Sequence, residues 1–468
     1  MRVDVIETPD LGDRSYVVSD GLASVVVDPQ RDLDRVEAVL ADRGAPVSHV
    51  LETHVHNDYL TGGSELARRT GASYGVSAGD AVAVPRQPLR DGDQFAAGGL
   101  RVRVIATPGH TPTHLAYLIE DGDAAGGGTG ALFTGGSLLF GSVGRTDLIG
   151  PGRTPSLTRA QYGSAHRLAE LPASTRLFPT HGFGSFCSSG GDTGATASTI
   201  GDELGKNPVF RAASEQEFAA GLLASLGDYP RYYAHMAPLN RSGPAGIDLT
   251  VPVAPVSPAD LRARLAAGAA VVDIRDRAAY AAAHLPGSIS ISSGDQLATY
   301  VGWLIPFGVP LTLIGDSREQ LGQARRQLAR IGYDDVSGTS VPIAELGAPR
   351  SFPRRSYDDL ARDRRPDDVV LDVRRAEERA DGALPGSLHV PLPELTGRPR
   401  QLPARRIWVH CASGFRAGTA ASLLAGAGHD VIQIDDHIDR ARALGLLAPD
   451  PDRIGSPAAG SVQRPAPG

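Results

Sequence analysis

Cysteine is scarce in this chain of 468 residues, which contains only Cys187 and Cys411. Two thiols cannot build the disulfide framework of a small secreted protein, so we expect a reducing, cytoplasmic setting. Long hydrophobic runs are also missing, because no apolar segment approaches the roughly 18 residues that a membrane span needs. The first residues, Met1–Val5, alternate like a strand and lack the apolar stretch of a signal peptide. The sequence therefore predicts no membrane partner.

A surplus of basic residues is absent as well, since the formal net charge is −7. This balance argues against nucleic-acid binding, which needs a clustered basic surface. The hydrophobic fraction of 41% and the charged fraction of 21% are typical of globular proteins. At roughly 100–200 residues per domain, the length predicts about three domains.

One short stretch carries an unusual density of metal-ligand side chains. Directly after the apolar run Val47–Leu51, two histidines and an aspartate lie within five positions. A strand that delivers such a cluster into a loop can aim imidazole and carboxylate groups at one divalent metal. Two more histidines follow, each beside a glycine, in the runs Thr107–Thr111 and Pro179–Gly182. The candidate ligands are His54, His56, Asp58, His110 and His181.

In their order and spacing, these motifs resemble those of the metallo-β-lactamase superfamily, and within it the glyoxalase II and persulfide dioxygenase branch. The resemblance covers roughly the first half of the chain. It implies an α/β fold, the αββα sandwich of that family, with a metal site at the ends of the strands.

Two positions depart from the family pattern. The run Phe133–Gly136 ends in glycine where the family has a metal-binding aspartate, and Tyr59 stands where the family has a histidine. The resemblance then implies at most one metal, held by His54 and His110 with help from His56, Asp58 or His181. We expect iron(II), with zinc(II) as the alternative. A site that has lost its metal and only binds or scaffolds is the competing interpretation. Asp147 is interpreted as structural, because the family has the same Gly-Arg-Thr-Asp run beside its own aspartate.

The rest of the chain contains an internal repeat. Val271–Arg275 matches Val370–Arg374, and His284–Ser288 matches Ala383–Ser387 at the same offset. Both copies resemble rhodanese domains. The Pro-rich run Val251–Pro255 predicts a linker before them, and the Gly-rich run 121–130 predicts a solvent loop. The predicted domains are 1–245 (metallo-β-lactamase-like), 256–345 (rhodanese without cysteine), 352–448 (active rhodanese) and 449–468 (disordered tail).

Cys411 lies where an apolar strand meets a short loop that opens a helix, predicted as Ala417–Ala425. Backbone N–H groups and the helix N-terminus stabilise a thiolate there, so we expect Cys411 to be the catalytic nucleophile. The Cys-x-x-Gly-x-Arg spacing is similar to the rhodanese active loop. That resemblance implies that Arg416 braces the loop or contacts an anionic sulfur donor. A buried cysteine that only packs is the alternative.

Two other positions are compared with this thiol. In the first copy Gly315 occupies the position of Cys411, so that copy cannot carry sulfur and is expected to be a spacer or docking module. Cys187 lies six residues after His181, in a run similar to that of bacterial persulfide dioxygenase–rhodanese fusions. It is either a small packing residue or a second sulfur-accepting thiol.

Together these features predict an enzyme of sulfide and persulfide metabolism. Cys411 would transfer sulfur between thiosulfate or a persulfide and a small thiol. A mononuclear metal would oxidise a low-molecular-weight persulfide, such as one of glutathione or coenzyme A. One alternative is a thioester hydrolase of the glyoxalase II type, with Asp58 as the base. Another is a metal-free binding domain attached to a sulfurtransferase. No nucleic-acid partner is expected, and a homo-oligomer is left open.

Overall fold

The computed structural model of the chain describes residues 1–122, 130–397 and 399–449. These residues form two compact units. The first contains Met1–Pro252, Gly294–Val309 and Gly322–Asp334. The second contains Val253–Ser293, Pro310–Leu321 and the described residues from Asp335 onward. Most of the predicted solvent loop (123–129) and of the predicted disordered tail (450–468) lies outside the described residues.

The strands in chain order are β1 (Arg2–Thr8), β2 (Asp13–Ser19), β3 (Ser24–Val27), β4 (Val47–Leu51), β5 (Ser73–Ser77), β6 (Gln87–Leu89), β7 (Gln94–Ala97), β8 (Leu100–Ala106), β9 (Leu115–Asp121), β10 (Ala131–Gly135), β11 (Arg176–Pro179), β12 (Ala254–Pro255), β13 (Ala270–Asp273), β14 (Ile289–Ser290), β15 (Leu311–Ile314), β16 (Val336–Thr339), β17 (Arg354–Arg355), β18 (Val369–Asp372), β19 (Leu388–His389), β20 (Ile407–His410) and β21 (Val431–Ile434).

The helices in chain order are α1 (Asp34–Arg43), α2 (Gly63–Thr70), α3 (Thr154–Leu168), α4 (Ile200–Lys206), α5 (Pro208–Arg211), α6 (Glu215–Ser225), α7 (Tyr233–Ser242), α8 (Pro258–Ala266), α9 (Arg277–Ala282), α10 (Leu297–Leu304), α11 (Arg318–Arg330), α12 (Ile343–Leu346), α13 (Tyr357–Asp363), α14 (Ala376–Ala380), α15 (Leu392–Leu395), α16 (Phe415–Gly426) and α17 (Ile438–Ala443).

Two facing sheets build the first unit. One has the order β1-β2-β3-β4-β5-β6 and the other the order β11-β10-β9-β8-β7. The apolar cluster between them draws on both sheets, with Tyr16 and Val27 from one and Val102 and Phe133 from the other. Helices α1 and α2 cover the outer face of the first sheet, and α3, α4 and α6 cover that of the second. The predicted αββα sandwich is confirmed.

Two parallel sheets with the same strand order build the second unit. They run β12-β16-β15-β13-β14 and β17-β21-β20-β18-β19, as two copies of one rhodanese-like fold should. The predicted linker is partly wrong, because Ala254 and Pro255 pair with Ser337 and Gly338 as an edge strand. Proline is accepted there because an edge strand leaves one row of N–H groups unpaired.

Part of the first rhodanese-like copy is packed into the first unit. Helix α10 is buried along its whole length, and Thr299 in it donates a hydrogen bond to the carbonyl oxygen of Asp10. The guanidinium of Arg330, on α11, binds the buried carboxylates of Asp10 at 2.5 Å and Asp32 at 2.8 Å. The backbone carbonyl of Arg330 also accepts the N–H of Leu60, at the end of the histidine-rich loop.

Candidate metal centre and sulfur-transfer loop

Three imidazoles from three separate loops meet at the ends of the sandwich strands. His54 follows β4, His110 follows β8 and His181 follows β11, and all three are buried. Each offers a ring nitrogen, and these nitrogens lie within 4.8 Å of one another. The structure therefore brings together three of the residues that the sequence predicts as ligands.

The hydrogen bonds around His54 fix its tautomer. Thr53 Oγ1 donates to Asp28 Oδ2 at 2.7 Å, so the same oxygen can only accept from His54 Nδ1 at 2.9 Å. Burial, followed by the nearby imidazoles of His56 and His114, holds the pKa of His54 well below its usual value. The ring is therefore neutral, and its Nε2 presents a bare lone pair.

His110 is prepared in the same way. Its Nδ1–H donates to the carbonyl oxygen of Arg145 at 2.7 Å. Burial, followed by the charge of His181, lowers the pKa of His110 to about 3. Its Nε2 is buried without a hydrogen-bond partner. An orphaned lone pair of this kind is costly unless a cation or a proton donor meets it.

His181 is oriented by two carboxylates. Its Nδ1 lies 2.8 Å from Asp13 Oδ1 and 3.2 Å from Asp58 Oδ2. Burial alone would lower the pKa of His181, but Asp58 and Asp13 together raise it well above its usual value. Without a metal the ring therefore carries a proton on Nε2 as well, and a bound cation would displace that proton.

The spacing of these nitrogens fits a small cation. The Nε2 atoms of His54 and His181 are 3.4 Å apart. A tetrahedral site with bonds of about 2.0–2.1 Å has neighbouring ligand atoms about 3.3–3.4 Å apart. The Asp58 carboxylate is also buried, with Oδ2 3.2 Å from Nδ1 of His181, which places negative charge beside the three rings. The donor set therefore fits one divalent metal such as iron or zinc.

His56 has a different arrangement from the one expected. Its Nε2 is paired with Asp28 at 3.2 Å and Glu52 at 3.3 Å, and Tyr59 Oη lies 3.0 Å away. Burial opposes its protonation, yet Asp28 and Glu52 together raise the pKa of His56 to about 9. Only Nδ1, which is buried without a partner, remains for a metal. His56 thus belongs to one candidate group of ligand atoms with Asp28 and Glu52 and to another with Asp58 and His181, and it is not part of the group of His54, His110 and His181.

The second centre is a single turn around Cys411. The thiol is buried at the end of β20, and the N–H of Gly414 donates to its Sγ at 3.2 Å. Gly414 has a φ of 87° and precedes α16, which begins at Phe415. The sulfur therefore faces a backbone N–H and the positive end of a helix, as the sequence predicts.

Arg416 braces this loop. Its guanidinium binds Glu378 through two hydrogen bonds, of 2.5 and 2.6 Å. Burial would raise the pKa of Glu378, but Arg416 and the backbone N–H of Arg375 lower it to about 2. Of the two functions that the sequence leaves open, the structure favours bracing over contact with the sulfur donor. Glu378 has no motif of its own in the sequence.

The comparisons with known proteins match the first part of the chain and the two copies of the repeat separately. Residues 10–181 match the family model described as the metallo-beta-lactamase superfamily. The hydroxyacylglutathione hydrolase of Acidiphilium cryptum (strain JF-5) is 34% identical over 242 residues, which are 46% of this chain and 93% of that protein. The chain belongs to the metallo-β-lactamase superfamily.

This superfamily member also has two rhodanese-like regions, since residues 257–338 and 356–440 match the rhodanese-like domain model. A probable metallo-hydrolase of Burkholderia pseudomallei (strain 1710b) is 32% identical over 208 residues, 40% of this chain and 68% of that protein. A metallo-beta-lactamase structure from Staphylococcus aureus subsp. aureus COL superposes with a TM-score of 0.64 at 25% identity. That match covers 72% of this chain and 98% of the other, so it extends beyond the sandwich.

The position of the missing superfamily aspartate is not an open gap. A Cβ built on Gly136 would lie 2.7 Å from Cγ of His110 and closer still to its Cδ2. The His110 ring thus fills the space beside Gly136, and an aspartate at 136 would require that ring to move. Gly136 instead donates its N–H to Nε2 of His114 at 3.0 Å. Asp147 forms an ion pair with Arg145 at 2.7 Å, in agreement with a structural function.

Several residues of this superfamily site were missed from the sequence. Asp13 begins β2, Asp28 directly follows β3, Glu52 directly follows β4, and His114 stacks on His54 with ring centroids 4.8 Å apart. His114 has both ring nitrogens hydrogen-bonded, to Thr107 and Gly136, so it supports the site without a free lone pair. Isolated acidic residues at strand ends carry no spacing signal that would have identified them.

Cys187 is fully buried in the first unit. Burial, followed by the charges of Asp58 and Asp13, raises its pKa well above the usual value. Its thiol is therefore protonated at neutral pH, which favours the packing interpretation.

In the part of the chain that the structure describes, no helix is long and apolar enough to span a membrane.

Proposed function

We propose that this chain is an enzyme of sulfane-sulfur metabolism with two centres, a sulfur-carrying thiol at Cys411 and an imidazole-held metal that acts on a small thiol derivative. The observation that carries the proposal is the pair of centres on one chain. Cys411 Sγ accepts a hydrogen bond from a loop N–H, and three imidazole nitrogens converge in the sandwich. Two of these nitrogens carry no proton, and the third carries a proton that a cation would displace. The first centre is built for an anionic sulfur, and the second for a cation.

At Cys411 the proposed step is transfer of one sulfur atom. The thiolate attacks the outer sulfur of thiosulfate, a new S–S bond forms, and the bond to the sulfonate sulfur breaks with release of sulfite. The enzyme then holds a persulfide anion, which the Gly414 N–H and the start of α16 stabilise as they did the thiolate. A small thiolate or cyanide removes the outer sulfur and restores Cys411.

At the imidazole centre the proposed overall reaction is RSSH + O₂ + H₂O → RSH + H₂SO₃. The outer sulfur loses four electrons, and O₂ gains them. His54, His110 and His181 would hold iron(II), which supplies the redox chemistry that O₂ requires. Asp13 and Asp58 orient His181 and balance the added charge. Sulfite is thus the product of this reaction and also the group that thiosulfate releases at Cys411.

A second candidate is a metal-dependent thioester hydrolase. The similarity to hydroxyacylglutathione hydrolase favours it, and Asp58, a buried carboxylate beside His181, would then serve as the base. Its weakness is that thioester hydrolysis needs no sulfur-carrying thiol. A third candidate, a metal-free binding domain attached to a sulfurtransferase, requires the orphaned nitrogen of His110 to remain without a cation.

Three activity assays and a metal analysis on the full chain separate these functions. We expect O₂ consumption and sulfite release with glutathione persulfide, and sulfur transfer from thiosulfate to cyanide. Hydrolysis of S-lactoylglutathione without O₂ consumption would support the hydrolase instead. Metal content below about 0.1 per chain after expression in iron-rich and zinc-rich media would leave the binding-domain candidate.

A further inference from the structure

Asp435 lies directly behind the Cys411 loop. A Cβ built on Gly414 would lie 3.0 Å from Cα of Asp435 and closer still to its Oδ1. Only glycine can therefore approach Asp435 this closely, and Gly414 is the residue whose N–H holds the sulfur. Three residues further on, the N–H of Ile438 donates to the carbonyl oxygen of Ala412 at 2.8 Å. The segment after β21 thus supports the loop from behind.

Two arginines hold the Asp435 carboxylate. Arg354, on β17 of the same copy, reaches Oδ2 at 2.8 Å. Arg277, at the start of α9 in the copy without cysteine, reaches Oδ1 at 2.6 Å. The Asp435 side chain is only 8% exposed, so water neutralises little of its charge. The oxygen that Arg277 holds is the one that faces Gly414.

Other contacts show that α9 and β14 pack on the helix that follows Cys411. A Cβ built on Gly418, in α16, would lie 3.3 Å from Cβ of Arg277. The N–H of Ser290 donates to Oγ of Ser422, also in α16, at 3.0 Å. The backbone that carries Arg277 is therefore fixed relative to the loop, and its guanidinium is delivered to Asp435 by packed elements.

We propose that Arg277 of the copy without cysteine is a positioning residue for sulfur transfer at Cys411. It fixes the Asp435 carboxylate against Gly414 and cancels the negative charge of that carboxylate beside an anionic sulfur. Without it, only Arg354 holds the carboxylate, the oxygen that faces Gly414 loses its partner, and the charge of that oxygen opposes both the thiolate and the persulfide anion. The copy that lost its thiol thus contributes one side chain to the copy that kept it. This proposal rests on the proposed function of Cys411.

The test uses the full chain with Arg277→Gln, Arg277→Lys and a matched control, Arg406→Gln. Arg406 also binds an aspartate through two hydrogen bonds, to Asp368, but lies before β20 while Cys411 follows it. We expect Arg277→Gln to lower kcat for thiosulfate:cyanide transfer roughly 10- to 100-fold, as small displacements of reacting groups do. Arg277→Lys should recover part of the rate, and Arg406→Gln should leave it unchanged.

A second readout follows the thiol itself. Iodoacetamide alkylation of Cys411 is followed by mass spectrometry of its peptide as a function of pH. The pH at which alkylation reaches half of its maximal rate should rise in Arg277→Gln and not in Arg406→Gln. A lower kcat with an unchanged alkylation profile would make Arg277 merely structural and would overturn the proposal. So would an unchanged kcat together with an unchanged profile.

Failure of the proposed function gives a different result. If the wild-type chain transferred no sulfur, the function of Cys411 would fail. The alkylation profile would still decide whether Arg277 acts on that thiol.

Discussion

The two candidate centres are built on opposite plans. The imidazole centre takes its side chains from three loops and from the start of β2, spread from Asp13 to His181. The thiol centre is one turn, Cys411–Arg416, with a brace from Glu378. The positions of the groups in the dispersed centre depend on the whole sandwich, whereas the geometry of the contiguous turn is determined by consecutive residues. The copy with Gly315 shows the other side of this contrast, because the same fold remains when the turn has lost its chemistry.

The largest expected effect comes from moving the thiol between the two rhodanese-like copies. Cys411→Ser should abolish thiosulfate:cyanide sulfur transfer, because the serine hydroxyl is not a nucleophile for sulfur at neutral pH. Gly315→Cys in a Cys411→Ser background should not restore it. In the first copy Arg318 stands where the loop has Gly414, and Gln320 stands where it has Arg416. Restored transfer would mean that a cysteine at this place in the fold is sufficient for sulfur transfer, without the Cys411–Arg416 turn.

The next effect concerns the dispersed centre. His181→Gln should lower the affinity for iron or zinc about 10- to 100-fold or more, since it removes a ligand and its carboxylate support. His114→Gln is the matched control, because His114 is equally buried but has both ring nitrogens hydrogen-bonded. Metal competition with a chelator, read by elemental analysis, measures both. Equal losses in the two variants would mean that His181 is not a ligand.

A stability test measures how much the sandwich depends on Arg330, which lies far from it in the sequence. Arg330→Met should destabilise the first unit by about 3–5 kcal/mol, because it leaves the buried carboxylates of Asp10 and Asp32 without this partner. Arg326→Met removes an arginine from the same helix. Its short contact is with the exposed Asp34 and its contact with Asp32 is longer, at 3.4 Å, so about 0–1 kcal/mol is expected. Hydrogen exchange in the peptides around Asp10 gives the local free energy of opening. A loss below about 1 kcal/mol for Arg330→Met would contradict the account.

The smallest effect separates the two copies by pH. Burial lowers the pKa of His410, directly before Cys411, to about 4, while the first copy has Ile314 at that position. The folded-state pKa lies below the unfolded value of about 6.5, so the stability is fully present above that pH and is lost as the pH falls toward 4. The loss is at most about 3 kcal/mol. His410→Ile should remove it, as measured by hydrogen exchange of residues 407–411 at pH 7.5 and pH 5.

Much of the fold was predictable because the motifs lie at the ends of regular elements. The apolar run before His54, the repeat around Asp273 and Asp372, and the turn at Cys411 each mark a strand end, and the structure has β4, β13, β18 and β20 there. The thiol centre could be predicted almost completely, since its parts are contiguous. Glu378 and Arg277 could not, because each reaches its partner only through the folded sheet order.

The dispersed centre was harder to predict for the same reason. Ligand types and spacing identified His54, His110 and His181, but they could not show which way each ring turns. His56 turns toward Asp28, which follows the preceding strand, and toward Glu52, which lies four residues before it, and the spacing of the histidine motif indicates neither contact. The filling of the space at Gly136 by His110 could not be predicted either, because a missing side chain in the sequence says nothing about which neighbour fills its volume.

The most direct test of the central claim is anomalous diffraction from crystals of the full chain grown anaerobically with iron(II). The account predicts one peak, bonded at about 2.0–2.2 Å to Nε2 of His54, His110 and His181. A peak between Asp28, Glu52 and His56 instead, or no peak at iron concentrations that saturate binding in solution, would contradict it.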